Sequence, residues 1–473
     1  MNAGAIAIVV VYLIAMLGVG WWTNKKLIKT STDYMLGGRS IPMILVACSL
    51  AANNIGGGST NGLVNRAFGA WGASAVWYVA AASVGLIPMI IFAPKLRNVL
   101  AFTIPEVVGR RFGKTSHIIT AVLNVVSLFC LTASQILTSG TILSLLLGMD
   151  LNLAILLAAG FTVVYTVMGG LWAGTITDLF QWAIIFLGLF IAVPYAVGAA
   201  GGWDKMMTTL PPEKLQPFGT LGVLGILSLC LNYFITFTSG PEMVSRVFSA
   251  KDAKAGRWAL AWAAIFMALF AFVPTIIGLA GYAIDPKMPA NKVLATVIFG
   301  HCPGWVAGAV SAAIIASTMS SADSDMLCAS TIITKDLVPY FKKDLSDKSQ
   351  IVLTRVLNVI IGLGAMCIAL FKIDIISLNI FSFMLRAAGP IGAFLLGLVW
   401  KKSGKLAGLA AILVGSGVGI WWQLLSLRMK VDNPYGLLPI VIGSAASILT
   451  FVIVTLVERA MGRAPAPELK VEG

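Results

Sequence analysis

From end to end the chain alternates apolar runs, most of 18 residues or more, with short polar connections. At about 1.5 Å of rise per residue, about 20 apolar residues cross a bilayer core of about 30 Å as a helix. The runs predict thirteen membrane-spanning helices, near residues 3–22, 40–65, 73–94, 118–146, 151–168, 176–199, 219–238, 257–283, 304–333, 351–371, 375–399, 404–427 and 435–457. The short alternating segments of an outer-membrane barrel are absent. The first run has no basic leader and no small-residue cleavage site, so it reads as a retained helix.

Polar residues interrupt this pattern at few places. The ninth run carries ASTMSSADSD at 316–325. At 100° per residue Ser317, Ser320, Ser321 and Ser324 share one stripe, with Asp323 beside it and Asp325 on the far side, the two acids about 160° apart. They cannot both serve one site on a regular helix. Hydroxyls beside one carboxylate suit a monovalent cation, since Mg²⁺ and Ca²⁺ call for more carboxylates. The competing reading is small residues for helix packing, with hydroxyls bonded to their own backbone.

The second run carries SLAANNIGGGSTNGL at 49–63. Three consecutive glycines and two asparagines oppose a continuous helix. A broken helix is tolerated in a membrane where its freed carbonyls line a cavity or bind something. A third stretch, YTVMGGLWAGTITDLFQ at 165–181, is a turn without Lys or Arg, followed by a run that begins at Asp178. An acid near a helix N-terminus also has a plain dipole explanation. Arg386 lies deep in the eleventh run, either to bind a carboxylate or to pair with Asp323 or Asp325.

Composition agrees with the pattern. Apolar residues make up 58% of the 473 and charged residues 11%, against about 25% charged in a soluble domain. Mean hydropathy is +0.93. The +14 net charge points to topology and not to nucleic acid, because alternate connections and their flanks hold 24 of the 33 Lys and Arg residues. The positive-inside rule then puts the N-terminus outside and the C-terminus in the cytoplasm. Six cysteines without a CxxC pair, and only two histidines, leave no zinc, redox or catalytic cluster. No enzyme is expected.

Five motifs together resemble the sodium/solute symporter family, whose members carry sugars, proline, sialic acid and choline: GGR at 37–39, the broken second run, YTVMGGLWAGTITDLFQ, SRVFSAKDAK at 245–254 and AAIIASTMSSADSDMLCASTIITKDL at 312–337. In GGGSTNG, YTVMGG and MSSADS the chain is most similar to the high-affinity choline branch. The resemblance implies an all-α membrane protein of the LeuT type, forming one transporter domain over 1–473. One helix and a loop (1–39) precede a ten-helix core (40–399, with inverted repeats of about 40–199 and 219–399), and two helices and a tail (400–473) follow. It implies a sodium site made by the carbonyls of Ala52, Ile55 and Ser317 with the hydroxyls of Ser320 and Ser321. A second site would use Asp178, Asp323, Ser324 and a shared Ser320.

The choline cage is missing, since Asn54, Leu131 and Gly240 stand where that branch has tryptophan. Asn54, Ser59, Trp77, Gln135, Asn232 and Arg386 are the candidate solute contacts. The expected protein is a plasma-membrane symporter. It would import a small polar solute, carboxylate or amino-acid-like, with one Na⁺ or two, its partners being solute, Na⁺ and lipid. Proton coupling on the same scaffold, or a sensor or channel, are the alternatives.

Overall fold

The computed structural model describes residues 3–373, 375–429 and 437–469. The start of the last predicted span (435–436) and the end of the tail (470–473) lie outside the described residues. Eight helices build the centre: α1 (Met43–Asn54), α2 (Leu63–Phe68), α3 (Lys114–Leu147), α4 (Leu151–Ala199), α5 (Gly222–Thr238), α6 (Pro241–Ser249), α7 (Gly304–Ile332) and α8 (Ile375–Ala387). No strand occurs among the described residues beyond two isolated backbone bridges.

Eleven helices among the described residues are long and apolar enough to cross a membrane, against the thirteen runs expected. The difference lies at two places. The first is α4, 49 residues long, which as a straight rod would measure about 73 Å, more than two bilayer cores. Gly170 breaks it, with φ 54° and ψ −157°. Beyond the break the Thr177 hydroxyl meets that of Tyr165, a pair that a straight helix would hold about 18 Å apart. The chain therefore turns back at Gly170. The Tyr34 hydroxyl caps the break by donating to the carbonyls of Val167 (3.2 Å) and Thr166 (3.3 Å).

This backbone conformation suits glycine alone, and a Cβ at Gly170 would lie 2.5 Å from the Tyr34 carbonyl oxygen. Gly170→Ala is expected to destabilise the protein by about 2–4 kcal/mol, the sum of backbone strain and overpacking. Thermal unfolding in detergent checks this, and an unshifted transition would count against the turn.

The second place is the pair α1 and α2, each too short to cross alone. Ile55 leaves helical geometry at φ −91°, ψ 66°, and a wide turn over Gly58–Gly62 re-enters the helix. A second interruption is absent from the sequence reading, which ends the seventh span at residue 238 and puts 239–256 in a connection. Instead Ser239 and Gly240 break the helix and α6 continues it, with all nine residues buried. Pro241 sits at the first helical position, where its missing N–H costs nothing. The two broken helices are tied end to end, Ile41 N–H donating to Ser249 O at 3.1 Å and Lys251 N–H to Ile41 O at 3.0 Å.

α7 runs through the middle. Every residue from Val310 to Ile332 is buried, and its Ala, Ser and Gly content lets α3, α4 and the Ala3–Lys26 helix approach closely. Polar side chains on α7 thus meet protein on all sides, and this positions the site.

Candidate ion and solute site

α1 ends at Asn54, and Ile55 N–H donates to Ala51 O at 3.1 Å, so the carbonyls that follow Ala51 have no helical N–H to accept from. Ala52 and Ile55 lie there, both buried. α7 docks on this end: the Ser321 hydroxyl is shared between Asn53 O at 2.8 Å and Ser317 O at 3.0 Å. Ser317 bonds back to Ile314 O at 3.2 Å, the packing behaviour expected of a helical serine. Ser320 instead reaches across to Asp178 Oδ1 at 2.5 Å, which leaves lone pairs on its oxygen. Carbonyls and hydroxyls facing one another across a helix break form a donor set suited to Na⁺.

Asp178 lies beside this seam. Ser49 of α1 donates to its other oxygen, so one carboxylate ties α4 to both α1 and α7. The sequence reading lacks a neighbour here, Arg246 of α6. Its Nε donates to Ser49 Oγ at 2.8 Å, its Nη2 to Ser324 Oγ, and the same Nη2 lies 3.8 Å from Asp178 Oδ2. Ser324 in turn donates to Ser320 O at 2.7 Å. Asp323 stands apart and faces Gly174 of α4, with one buried oxygen unpartnered among the described residues. The residues of the expected second ion site are thus divided between a cluster holding an arginine and the Asp323 carboxylate, whose side-chain partner is Thr166.

Between the two breaks lies a cavity of about 90 Å³. Asn53, Asn54 and Ser59 line it from the α1–α2 break, Gln135 from α3, and Ser321 and Asp325 from α7. Asn379, Phe383 and Arg386 follow one stripe of α8. Asn54 gives its amide to Leu50 O at 2.6 Å, and Ser59 bonds to Asn54 O at 3.0 Å. The Gln135 amide packs over Gly56, where a Cβ would lie 3.3 Å from it.

Three expectations are corrected. Arg386 pairs with neither Asp323 nor Asp325; its Nη1 meets Glu242 Oε2 of α6 at 2.5 Å. Trp77 points away from the cavity, donating to Pro217 O at 2.8 Å and stacking on Phe218. Asn232 likewise does not line it. In both cases the next residue does, Tyr78 and Tyr233, because one step along a helix turns the side chain by about 100°. Sequence reasoning also misses Asn379, although the i, i+4, i+7 spacing of Asn379, Phe383 and Arg386 was there to find it.

In this buried centre Asp178, Glu242, Asp323 and Asp325 stand with two arginines among the described residues, Arg246 paired with Asp178 and Arg386 with Glu242. Ionised carboxylates in such surroundings need compensating charge, and the centre is short of positive charge.

Two broken helices crossing at a polar cavity in an all-helical bundle define a secondary transporter of the LeuT type. A sequence profile of the Sodium:solute symporter family matches residues 34–415, and the chain belongs to that family. It is a multi-pass, Na⁺-coupled transporter of a solute and not an enzyme. The chain is 28% identical to the osmoregulated proline transporter OpuE of Bacillus subtilis (strain 168), over 96% of this chain and 95% of that one. It is 26% identical to the sodium/proline symporter of Staphylococcus aureus (strain USA300), over 95% and 92% of the two chains. Among solved structures it is similar to a substrate-bound, outward-open Na⁺-coupled sialic acid symporter, with a TM-score of 0.85, 20% identity and coverage of 98% and 99%. The nucleobase-cation-symport-1 family transporter Mhp1 follows at 0.60, with 16% identity and coverage of 92% and 97%.

Proposed function

We propose that the chain imports a small amino acid, proline or a close relative of it, across the plasma membrane together with Na⁺. The observation that carries this reading is one cavity holding both Arg386 and Asp325, with Ser321 in its wall. A guanidinium matches a carboxylate in a two-pronged geometry. Asp325 is buried and makes no hydrogen bond or ion pair within 4.0 Å among the described residues, so it is free to receive the solute's ammonium. Tyr78, Tyr233, Phe237 and Phe383 give the apolar walls that a small ring or aliphatic side chain needs. The relatives named for proline agree with this chemistry.

Na⁺ binds between the α1 break and α7, through Ala52, Ile55, Ser317, Ser320 and Ser321, and holds Asn53 and Ser321 in place as cavity walls. Solute and ion thus bind more tightly together than apart. With the N-terminus outside and the ten-helix core at 40–399, inward passage of one Na⁺ gains about 2.3 kcal/mol per 100 mV.

Purified protein in proteoliposomes is expected to accumulate L-proline down an inward Na⁺ gradient and to stop when choline replaces Na⁺. Uptake driven by a pH gradient in sodium-free buffer would transfer the coupling to protons. Sodium-dependent binding without accumulation would make the chain a sensor.

A further inference from the structure

Helix α6 carries two opposite charges one turn apart, and each sits where a ligand of the transport cycle would sit. Glu242 lines the solute cavity and holds Arg386 at 2.5 Å, a carboxylate in the place proposed for the solute's own. Arg246, four residues on, holds Ser49 and Ser324 beside Asp178. That is where the family resemblance puts a second Na⁺. The Nη1 of Arg246 also donates to the backbone carbonyl of Glu242 at 3.0 Å, so the guanidinium is fixed to the turn that carries Glu242. With all nine residues of α6 buried, both charges are withdrawn from bulk solvent.

We propose that α6 is a tethered competitor: Glu242 occupies Arg386 until a solute carboxylate displaces it, and Arg246 fills the cation seat at Asp178, so that one Na⁺ accompanies each solute. The Glu242 half rests on the amino-acid reading above; the Arg246 half does not. On solute entry the ion pairs exchange. The solute carboxylate takes Arg386, and its ammonium lies between Glu242 and Asp325, so the displaced Glu242 keeps a cationic partner. A sodium ion beside Asp178 would have to share Ser324 with the guanidinium, and two like charges at that spacing exclude each other.

Equilibrium binding of radioactive sodium to the purified chain without solute is expected to count one site per chain. Two sites in the unaltered protein would overturn the role of Arg246. Arg246→Ala, verified as folded by its thermal transition, is expected to raise the count to two; a folded variant that still binds one ion would likewise overturn it. Glu242→Gln removes the competing charge, leaves Arg386 unpaired and still offers an amide oxygen to the ammonium, with Asp325 as its charged partner, so L-proline binding at fixed Na⁺ is expected to tighten about tenfold or more. Glu242→Asp keeps the competitor and is expected to stay within about threefold. Weaker binding in Glu242→Gln, with Glu242→Asp normal, would overturn the displacement. If the unaltered chain does not bind L-proline, the amino-acid reading falls and the Glu242 half with it, while the sodium count still decides for Arg246.

Discussion

Ser321→Ala is expected to raise the sodium concentration for half-maximal uptake about tenfold, the loss of about 1.4 kcal/mol of ion binding. The Ser321 hydroxyl joins α7 to Asn53 O at 2.8 Å, across the seam where the α1 break exposes its carbonyls. Alanine keeps the helix and removes the oxygen. At saturating Na⁺ the maximal uptake rate is expected to recover, because the altered step is ion binding and not movement of the core. The fold is little affected, since the hydroxyl's other contact is Ser317 O on its own helix. Uptake measured over a sodium series decides it, and an unchanged sodium dependence would remove Ser321 from the ion site.

Much of this arrangement is legible in the sequence because lipid makes polarity conspicuous. A serine stripe, two asparagines beside three glycines, and an acid at the start of a span have few uses in an apolar run. Helical phase also separates Asp323 from Asp325, and the structure turns the first towards Gly174 and the second into the cavity. Glu242 and Arg246 escape for a definite reason. PEMVSRVFS is too short to cross a bilayer and polar enough to pass for a connection, and its burial arises from packing against neighbours distant in sequence, among them α1, α7 and the Ile87–Asn98 helix. The available signals are the Ser-Gly-Pro break and the four-residue spacing of opposite charges, which marks a helix face. Trp77 and Asn232 fail by a single residue each. A span is recognised from its average hydropathy, whereas the inward side chain depends on rotation, and the average carries no phase.

Arg386→Met is expected to reduce uptake of a carboxylate-bearing solute by about 100-fold or more, the loss of a buried, charge-assisted contact of about 3 kcal/mol. Methionine keeps most of the length and the apolar contact with Phe383, over whose ring the guanidinium lies at 4.9 Å. The single variant is ambiguous, however, because it strands the Glu242 carboxylate inside the protein at a cost of about 3–5 kcal/mol. Lower uptake could then reflect lower stability. Adding Glu242→Gln separates the two effects, since the double variant adds no unpaired buried charge to those of the parent and is expected to regain its thermal transition. If Arg386 binds the solute, uptake stays lost in the double variant. If Arg386 serves only to neutralise Glu242, uptake returns with stability and the carboxylate assignment fails. Arg386→Lys supplies the finer test. It retains the charge without the planar fork, so weak residual uptake would indicate that the guanidinium geometry, as well as its charge, recognises the solute.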